Sequence, residues 1–295
     1  KGLQALGAVL ERGDGNVIIH GPVDGGTVFL GGNYGPTVLG TANIVMAATL
    51  GRGTSYIEMA AMEPEVVDLC HFLNACGAQI SGIGSHLLTV EGVDRLNGCT
   101  HQIIPDRIEA GTYLIGGIMM NSPVRIENAR PDHLLAVIDR LEAAGAKIAT
   151  GPDWIANVPT ADGALHAVDV TTLPYPGFPT DLQAQFMALM ARARGVSVIT
   201  EKVYPERFMH ASELVRLGAR IRREGPSAII EGTEALIGAP VMASDLRASA
   251  GLVLAGLAAR GHTDVRRVYH IDRGYERIEQ KLQHIGADVE RIKEG

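Results

Sequence analysis

The sequence predicts an α+β fold of repeated βαβαββ units, divided into two domains. Three observations predict it. The chain has 295 residues, which as a soft prior corresponds to about two domains. Apolar residues make up 46% of the chain and charged residues 20%, which is enough to fill a hydrophobic core. The third observation is a long repeat in which helical and strand-like patterns alternate.

A Gly-Ala pair at the end of a helical pattern marks the repeat. Its glycines are 70, 68, 73 and 68 residues apart. A glycine just after the last helical residue is a C-cap signal, so each pair predicts a helix end followed by a strand. The repeated glycines are Gly7, Gly77, Gly145, Gly218 and Gly286.

Each period contains two short strands, a helix that is apolar on nearly all sides, a further strand and an amphipathic helix. The string "PDHLLAVIDRLEAAGA" has apolar residues at helical spacing and is amphipathic. A helix that is apolar all round must be buried. Such helices are predicted to begin within 35–43, 104–112, 178–185 and 242–249, and strands are predicted at 54–58, 123–127, 196–200 and 228–232.

The first period is incomplete in the sequence. Lys1 falls inside what should be its second helix, and the chain does not begin with Met. We therefore expect the sequence to lack the leading part of a longer protein.

The predicted starts of the buried helices carry polar residues that suit N-caps. Asp106 with Glu109 and Thr180 with Gln183 resemble capping boxes. Acids in a first turn also complement the helix dipole, so capping explains each acid taken alone. The residues with this interpretation are Asp106, Thr180, Asp181, Ser244 and Asp245.

Two arginines at the same helix starts do not fit that interpretation. Arg107 and Arg247 lie in first turns, where cations are unfavourable. If the helices point the same way, their backbone N–H groups and these guanidiniums would form an anion site, and Asp181 could act there as a base. Arg207 and Arg273 each follow a strand and could join this site, or could be solvated surface charges.

Composition disfavours several other functions. The net charge is −7 with no basic run, which is not typical of a nucleic-acid-binding protein. No apolar run approaches the roughly 20 residues that span a bilayer. The three cysteines form no CxxC motif, so we interpret them as free thiols of a cytoplasmic protein, with Cys70 and Cys76 in packing roles. His210 and His270 lack metal-binding spacing and are interpreted as core or hydrogen-bonding residues.

Long strings in the sequence are similar to one enzyme family. "PDRIEAGTYL", "PGFPTDLQAQ", "RFMHASELVRLGA", "ASDLRASAGLVLAGLAA" and "YHIDRGYERIEQKL" closely resemble the UDP-N-acetylglucosamine 1-carboxyvinyltransferases, and the likeness runs through essentially the whole chain. The resemblance implies an enolpyruvyl transferase-like α/β prism with buried parallel helices. It assigns residues 1–104 to a partial catalytic lobe and 105–295 to the second lobe.

The resemblance implies transfer of enolpyruvyl from phosphoenolpyruvate to the 3-hydroxyl of UDP-N-acetylglucosamine, with release of phosphate. That reaction is the first committed step of peptidoglycan synthesis, and so belongs to cell wall biogenesis, cell shape and cell division. It needs no metal or organic cofactor and is cytoplasmic. Two alternatives stay open: a non-catalytic sugar-nucleotide-binding or structural remnant of the family, and, with weaker support, the specificity of the related shikimate-pathway enzyme.

The resemblance also assigns residues. Asp181 would be the base for the sugar hydroxyl, Arg273 would bind an anionic group of phosphoenolpyruvate, and a basic residue would be usual where this chain has Gly35. The implied catalytic residues are Asp181, Asp245, Arg247 and Arg273. The implied substrate-binding residues are Gly35, Pro36, Thr37, Val38, Thr180, Asp181, Val203, Tyr204 and Arg207.

A segment with a lid cysteine is the remaining implication. By resemblance it belongs just before Lys1, and none of Cys70, Cys76 and Cys99 matches its motif. We therefore expect this chain alone to be catalytically inactive.

Overall fold

A computed structural model describes residues 1–292 of the chain, which divides into two compact units. The first unit comprises Lys1–Ile104 together with Pro174–Pro176. The second comprises Pro105–Leu173 and the chain from Gly177 onward. Both contain helices and sheets, which confirms the predicted α+β class. Within residues 1–292, no helix is both long enough and apolar enough to cross a membrane.

The first unit contains three helices and eight strands among its described residues. The helices are α1 (Gly2–Ala5), α2 (Val38–Thr49) and α3 (Pro64–Ala75). The strands are β1 (Val9–Arg12), β2 (Val17–His20), β3 (Asp24–Phe29), β4 (Gly31–Gly32), β5 (Gly35–Pro36), β6 (Arg52–Glu58), β7 (Gln79–Ser81) and β8 (Leu87–Glu91).

The first unit contains one complete βαβαββ repeat. Strand β3 leads through α2 to β6, and β6 leads through α3 to the β7–β8 hairpin. The sheet order is β3-β6-β8-β7, with β3 and β6 parallel and the other neighbours antiparallel. Val28, Ile57 and Leu88 point from this sheet into a core that also contains Val45 of α2 and Cys70 of α3.

The helices of the second unit are α4 (Arg107–Met119), α5 (Leu135–Ala143), α6 (Gln183–Met190), α7 (Met209–Arg216), α8 (Leu246–Ala258) and α9 (Ile278–His284). Short 3-10 turns cover Pro131–Leu134, Thr180–Leu182 and Val268–Arg273. The strands are β9 (Val124–Glu127), β10 (Lys147–Thr150), β11 (Trp154–Val158), β12 (Val170–Thr172), β13 (Val196–Glu201), β14 (Arg220–Glu224), β15 (Ser227–Glu231), β16 (Leu236–Ile237), β17 (Val241–Met242), β18 (Ala259–Arg260) and β19 (Val265–Arg266).

The second unit contains another complete βαβαββ repeat, from β12 to β15. Its sheet order, β12-β13-β15-β14, matches that of the first unit, with β12 and β13 parallel. This confirms the repeated unit predicted from the sequence. The same pattern of one parallel and two antiparallel neighbours follows from a helical crossover and a hairpin.

Two other periods depart from the predicted pattern. The sheet around α4 and α5 has three strands, β10-β11-β9, and residues 92–106 before α4 form no strand. In that segment, the N–H groups of Val93 and Asn97 donate to the carbonyls of Thr49 and Cys76, so these donors serve helix ends rather than a sheet. Around α8 there are only the two-residue parallel pairs β16–β18 and β17–β19.

The five repeated glycines end helices as predicted. Each has a φ between 89° and 102°, the left-handed region that glycine adopts without a steric penalty. At the end of α7, Gly218 donates to the Val215 carbonyl at 2.9 Å and Ala219 to the Leu214 carbonyl at 3.0 Å. These two bonds form the Schellman pattern that satisfies the last helical carbonyls.

The helices predicted to be buried differ in how fully they are covered. Every residue of α6 is buried, because α6 lies against both α4 and α8. In contrast, α2 packs against α1, α3 and the sheet, and leaves Leu39 76% and Met46 44% exposed. The prediction of complete burial is therefore wrong for α2 within the first unit. The amphipathic α5 buries Val137 and Leu141 as its spacing predicts.

Candidate functional site

The candidate site lies at the amino-terminal ends of the buried helices of the second unit. Its centre is the Asp181 carboxylate. Arg207 Nη1 donates to Asp181 Oδ1 at 2.6 Å, and Arg247 Nε donates to Oδ2 at 3.1 Å. The two arginine side chains are only 19% and 12% exposed. A carboxylate held by two nearly buried guanidiniums is a strong, charge-assisted arrangement.

Local backbone structure explains why Asp181 reaches these arginines. Residues Thr180–Leu182 form a 3-10 turn before the α-helix begins at Gln183, and Pro179 precedes the turn. In this geometry, neither Thr180 nor Asp181 caps a helix through its side chain. The capping interpretation of both residues is therefore wrong, because the inserted turn directs their side chains to tertiary partners.

Asp245 does cap a helix. Its Oδ1 accepts from the backbone N–H groups of Arg247 at 2.7 Å and Ala248 at 2.8 Å. Its Oδ2 lies 3.7 Å from Arg207 Nε, so the structure brings Asp245 to the same cluster as Asp181. Ser244 was the predicted cap of this helix, but its buried hydroxyl has no hydrogen-bond partner among the described residues. Of the two residues predicted to cap this helix, Asp245 is therefore the one that does.

The cap predicted for α4 is confirmed. Asp106 Oδ1 accepts from the N–H groups of Ile108 at 2.8 Å and Glu109 at 3.0 Å. Burial disfavours the charged form of Arg247, but Tyr275, Asp181 and, more weakly, Asp106 outweigh burial and raise the pKa of that guanidinium. The starts of α4, α6 and α8 thus share one electrostatic environment.

The charges around Asp181 determine its ionisation. Burial disfavours the carboxylate, but Arg207 and Arg247 together outweigh burial and hold the pKa of Asp181 below its usual value. Asp181 is therefore ionised at neutral pH and is a weak base while both arginines hold it. Arg247 Nη1 is buried and has no hydrogen-bond partner among residues 1–292, so this arginine retains donor capacity.

A buried polar network lies next to Arg247. The hydroxyl groups of Thr112 and Tyr275 are 2.9 Å apart, and Gln185 Nε2 donates to both, at 3.0 and 3.2 Å. The guanidinium of Arg247 lies 5.3 Å from the Tyr275 ring centre. Burial raises the pKa of Tyr275, so its phenol stays neutral and can donate or accept. Sequence reasoning missed these three residues, because no spacing links positions on α4, α6 and the segment before α9.

A second acid, Glu201, lies next to the predicted Thr180–Val203–Tyr204 group. Thr180 Oγ1 donates to Glu201 Oε2 at 2.9 Å, and the N–H groups of Val203 and Tyr204 each donate to Oε1 at 2.9 Å. Thr172 Oγ1 also donates to Oε1, at 2.5 Å. The structure thus joins all three predicted residues to one carboxylate that sequence reasoning did not single out.

Arg273 is not joined to this cluster. It ends the 3-10 turn Val268–Arg273, its side chain is exposed, and it forms no ion pair with a described residue. It lies two residues before Tyr275, which does belong to the network. Its predicted contact with phosphoenolpyruvate stays a prediction.

The remaining predicted residues lie in the first unit. Gly35 and Pro36 form β5, and Thr37 caps α2 by accepting from the Gly40 N–H at 3.2 Å. Gly35 has a φ of +99°, and a Cβ there would lie 2.6 Å from Pro174 Cγ. The chain therefore has no room for the basic side chain usual in the resembling family. Binding of uridine diphosphate by Gly35–Val38 stays a prediction.

His210 and two of the cysteines are buried, as their interpretation required. Burial lowers the pKa of His210 to about 4, with Arg207 adding to that effect and Asp245 opposing it. Burial raises the pKa of Cys70 to about 11, which suits a packing residue. Within residues 1–292, no three His, Cys, Asp or Glu side chains are grouped so that they could hold a metal ion.

Comparison with known proteins identifies the family of this chain. The family model for EPSP synthase (3-phosphoshikimate 1-carboxyvinyltransferase) matches residues 1–282. The UDP-N-acetylglucosamine 1-carboxyvinyltransferase of Coxiella burnetii is 53% identical over 292 residues, which cover 99% of this chain and 67% of the relative. The UDP-N-acetylglucosamine 1-carboxyvinyltransferase 2 of Carboxydothermus hydrogenoformans is 51% identical, covering all of this chain and 70% of the relative.

Solved structures share the fold. The enolpyruvyl transferase NikO from Streptomyces tendae superposes with a TM-score of 0.86 at 26% identity, over 97% of this chain and 70% of that chain. The EPSP synthase of Acinetobacter baumannii gives a TM-score of 0.75 at 16% identity, over 97% of this chain and 69% of that chain, which supports the fold alone. The family model and the fold thus define an enolpyruvyl transferase type of protein. The chain belongs to the EPSP synthase family, among its UDP-N-acetylglucosamine 1-carboxyvinyltransferases.

Proposed function

We propose that this protein transfers enolpyruvyl from phosphoenolpyruvate to the 3-hydroxyl of UDP-N-acetylglucosamine and releases phosphate. The observation that carries the proposal is the Asp181 carboxylate between Arg207 and Arg247, in a chain 53% identical to a transferase of that name. The product would enter peptidoglycan synthesis, and so cell wall biogenesis and division. Free thiols and a nucleotide-sugar substrate fit the cytoplasm.

Asp181 has the proposed role of base. It accepts the proton of the sugar 3-hydroxyl as that oxygen bonds to C2 of phosphoenolpyruvate, while a general acid donates a proton to C3. The result is a tetrahedral ketal that still carries the phosphate. Loss of the C3 proton and cleavage of the bond between C2 and the phosphate oxygen then restore the double bond. A positioned base contributes about 10²–10⁴-fold to such a step.

Arg207 and Arg247 have two proposed roles. They bind the anionic substrate, with Asp245 holding Arg207 from the other side. When a phosphate or carboxylate engages either guanidinium, the attraction between that arginine and Asp181 weakens. The pKa of Asp181 then rises from its depressed value, and the carboxylate becomes a better base. Binding of the anion and activation of the base are coupled in this way.

In this proposal the first unit is the partial catalytic lobe, and the second unit is the second lobe of the enzyme. Gly35, Pro36, Thr37 and Val38 would contact the uridine diphosphate through backbone groups, because a side chain is excluded at Gly35. Val203 and Tyr204 would line the sugar-nucleotide pocket, and Arg273 would bind phosphoenolpyruvate. Tyr204 is 60% exposed, so its ring is available for such contact.

A partner segment with a lid cysteine is the finer part of the proposal. Cys70 is inert by burial, and Cys76 lies 3.3 Å from Cys99, so none of these thiols suits a mobile lid. We place the lid cysteine in the part of the relatives that has no match in this chain, since the chain covers only 67–70% of their length. This chain alone would then bind UDP-N-acetylglucosamine without turnover.

Phosphate release tests the proposal. The complete gene product should release phosphate from phosphoenolpyruvate when UDP-N-acetylglucosamine is present, but not with shikimate 3-phosphate. Calorimetry should show that the 295-residue chain binds UDP-N-acetylglucosamine without turnover. Turnover by this chain alone would contradict the lid assignment. Binding without turnover by the complete product would favour the non-catalytic alternative, and a preference for shikimate 3-phosphate would favour the shikimate specificity.

A further inference from the structure

Glu201, the last residue of β13, is a completely buried acid. A buried carboxylate is costly unless hydrogen bonds satisfy its oxygens. Both oxygens are used here: three donors converge on Oε1 and one on Oε2. Two of those donors are the backbone N–H groups of Val203 and Tyr204, which lie in the loop after the strand.

The fourth donor, Thr180, links Glu201 to the candidate base. A threonine hydroxyl has one proton, and in this structure it points to Glu201 Oε2. The Thr180 oxygen must therefore accept from its other neighbour, Arg207 Nη1, at 3.2 Å. The same Arg207 nitrogen donates to Asp181 Oδ1 at 2.6 Å. A carboxylate can only accept and a guanidinium can only donate, so the direction of every bond between Glu201 and Asp181 is fixed.

The sheet itself does not need an acid at this position. In the first unit, Ile57 pairs with Val28 in the parallel register in which Ile199 pairs with Val170. Two residues further along the strand direction, the first unit has Met59 and the second has Glu201. Met59 follows the end of β6 with a left-handed φ of +52°, so the same sheet order forms without an acid at this point.

We propose that Glu201 is a positioning residue for the enolpyruvyl transfer. It does not touch substrate. It fixes the Val203–Tyr204 loop directly, and through Thr180 it orients the Arg207 guanidinium that holds Asp181. This inference rests on the proposed function.

Glu201→Gln is the main test, in the complete gene product. The amide oxygen can keep the three bonds at Oε1, while the amide NH2 reverses the bond to Thr180. We expect a melting temperature within about 3 °C of the wild type and a change of less than about two-fold in KM for UDP-N-acetylglucosamine. The kcat should be roughly ten-fold lower, because only the hydrogen bonds that lead from Glu201 through Thr180 to Arg207 are altered. Glu231→Gln in the same sheet is the control, since Glu231 is an exposed ion-pair partner of Arg220.

A double-mutant cycle shows whether Glu201 acts through Thr180. If it does, Thr180→Val with Glu201→Gln should be no slower than Thr180→Val alone. If the two substitutions lower kcat independently, so that their fold-effects multiply, Glu201 does not act through Thr180 and the inference is overturned. An unchanged kcat in Glu201→Gln would overturn it too, because a purely structural acid lowers stability without altering turnover below the melting temperature.

Amide hydrogen exchange separates this inference from the proposed function. In Glu201→Ala, the Val203 and Tyr204 amides should exchange at least about ten-fold faster, while the strand amide of Ile199 keeps its rate. That result supports the positioning of the loop even if the wild-type protein releases no phosphate. Equal acceleration at all three amides would mean general destabilisation and would overturn the inference.

Two thiols of the first unit lie close together in an arrangement unrelated to this site. Cys76 Sγ and Cys99 Sγ are 3.3 Å apart; Cys76 is buried at the end of α3, and Cys99 is exposed. The segment that carries Cys99 is held against α3 on both sides. The Asn97 N–H donates to the Cys76 carbonyl at 2.7 Å, and His101 Nε2 lies 3.0 Å from Asp68 Oδ1.

The geometry points to a reversible Cys76–Cys99 disulfide formed by a peroxide. The Cys99 thiolate attacks hydrogen peroxide, giving a sulfenic acid and hydroxide. The Cys76 thiol then attacks the Cys99 sulfur, and water leaves as the S–S bond forms. The hydrogen bond to Cys99 raises the pKa of Cys76, so the exposed Cys99 is the first to react.

Mass spectrometry of the peroxide-treated chain tests this assignment. We expect a loss of about 2 Da, a cross-linked 76–99 peptide, a melting temperature several degrees higher and full reversal by dithiothreitol. Cys70→Ala should still form the bond and Cys99→Ser should not. Only sulfinic or sulfonic Cys99, or no cross-link, would overturn it.

Discussion

The two complete βαβαββ repeats, residues 24–91 and 170–231, share one sheet topology but differ in the polar contacts made at the start of their first helix. Their sheets have the same strand order and the same parallel and antiparallel neighbours. In the first, α2 begins at Val38 and is preceded by Thr37, whose side chain caps the helix locally. In the second, Thr180 and Asp181 leave their own helix uncapped and bond to Glu201, Arg207 and Arg247.

The end of the second parallel strand shows the same contrast, where Met59 follows β6 and Glu201 is the last residue of β13. Met59 is half-buried in the first repeat, whereas Glu201 is fully buried and accepts four hydrogen bonds in the second. The topology therefore does not determine where a charged site forms. In the second repeat, a few residues at the start of the first helix and at the end of one strand add a polar network to the shared topology.

The largest expected effect is on kcat and concerns Asp181, which has no acidic counterpart at the helix start of the first repeat. Asp181→Asn should lower kcat of the complete gene product by about 10²–10⁴-fold, because the amide cannot take the sugar proton. Steady-state phosphate release measures it. The exposed Asp139→Asn is the matched control and should leave kcat unchanged. A loss of less than about ten-fold would remove Asp181 from the role of base.

Exchanging the contrasting side chains tests how far the two frames are equivalent. Glu201→Met should cost about 3 kcal/mol or more in unfolding free energy, because one buried and three partly buried hydrogen bonds lose their acceptor. The reverse change, Met59→Glu, should cost less than about 1 kcal/mol, since this side chain is half-exposed. Urea unfolding measures both, with the single Trp154 reporting on the second unit and circular dichroism on the whole chain. Equal costs would contradict the comparison.

The pH dependence of stability tests the burial of His210 behind the charged site. Its folded pKa of about 4 lies below the ordinary 6.5, so the unfolded chain binds the extra proton first. Stability is therefore lost as the pH falls from about 6.5 to about 4, by about 3 kcal/mol in total from this group.

The His210→Phe variant isolates this contribution. It should lose less stability than the wild type between pH 6.5 and 4, since the buried Nε2 has no hydrogen-bond partner to forfeit. The exposed His262→Gln should follow the wild-type curve. Parallel curves for His210→Phe and the wild type would contradict the burial of a neutral histidine.

The frame could be predicted from the sequence, whereas the network in the site could be predicted only in part. Gly218 and its four counterparts mark helix ends because a left-handed C-cap is a local requirement that leaves a local signal. Asp181, Asp245, Arg207 and Arg247 could be singled out because charges are conspicuous next to apolar helices.

The rest of the network leaves no local signal. From sequence alone, a glutamate at the end of a strand, like Glu201, is expected to be an exposed charge. Its burial depends on hydrogen-bond donors from three separate segments of the chain. Thr112 and Tyr275 are 163 residues apart, so their hydrogen bond cannot be found from spacing. Ser244 and Asp245 are both good caps by residue type, and the backbone direction alone decides between them.

The smallest effect tests the feature that the two repeats share. Gly77→Ala and Gly218→Ala should each cost about 1 kcal/mol or slightly more in unfolding free energy, because alanine is strained at a positive φ. The costs should be similar, since a Cβ at Gly218 meets no atom within 4 Å and one at Gly77 meets only the flexible Asn97 side chain at 3.3 Å. Gly98→Ala, at a glycine whose φ is not positive and whose Cβ would meet nothing, is the control and should be neutral. If only one of the two substitutions lowered the unfolding free energy, the two repeats would end their helices by different means. Their similarity would then be limited to the topology of the sheet.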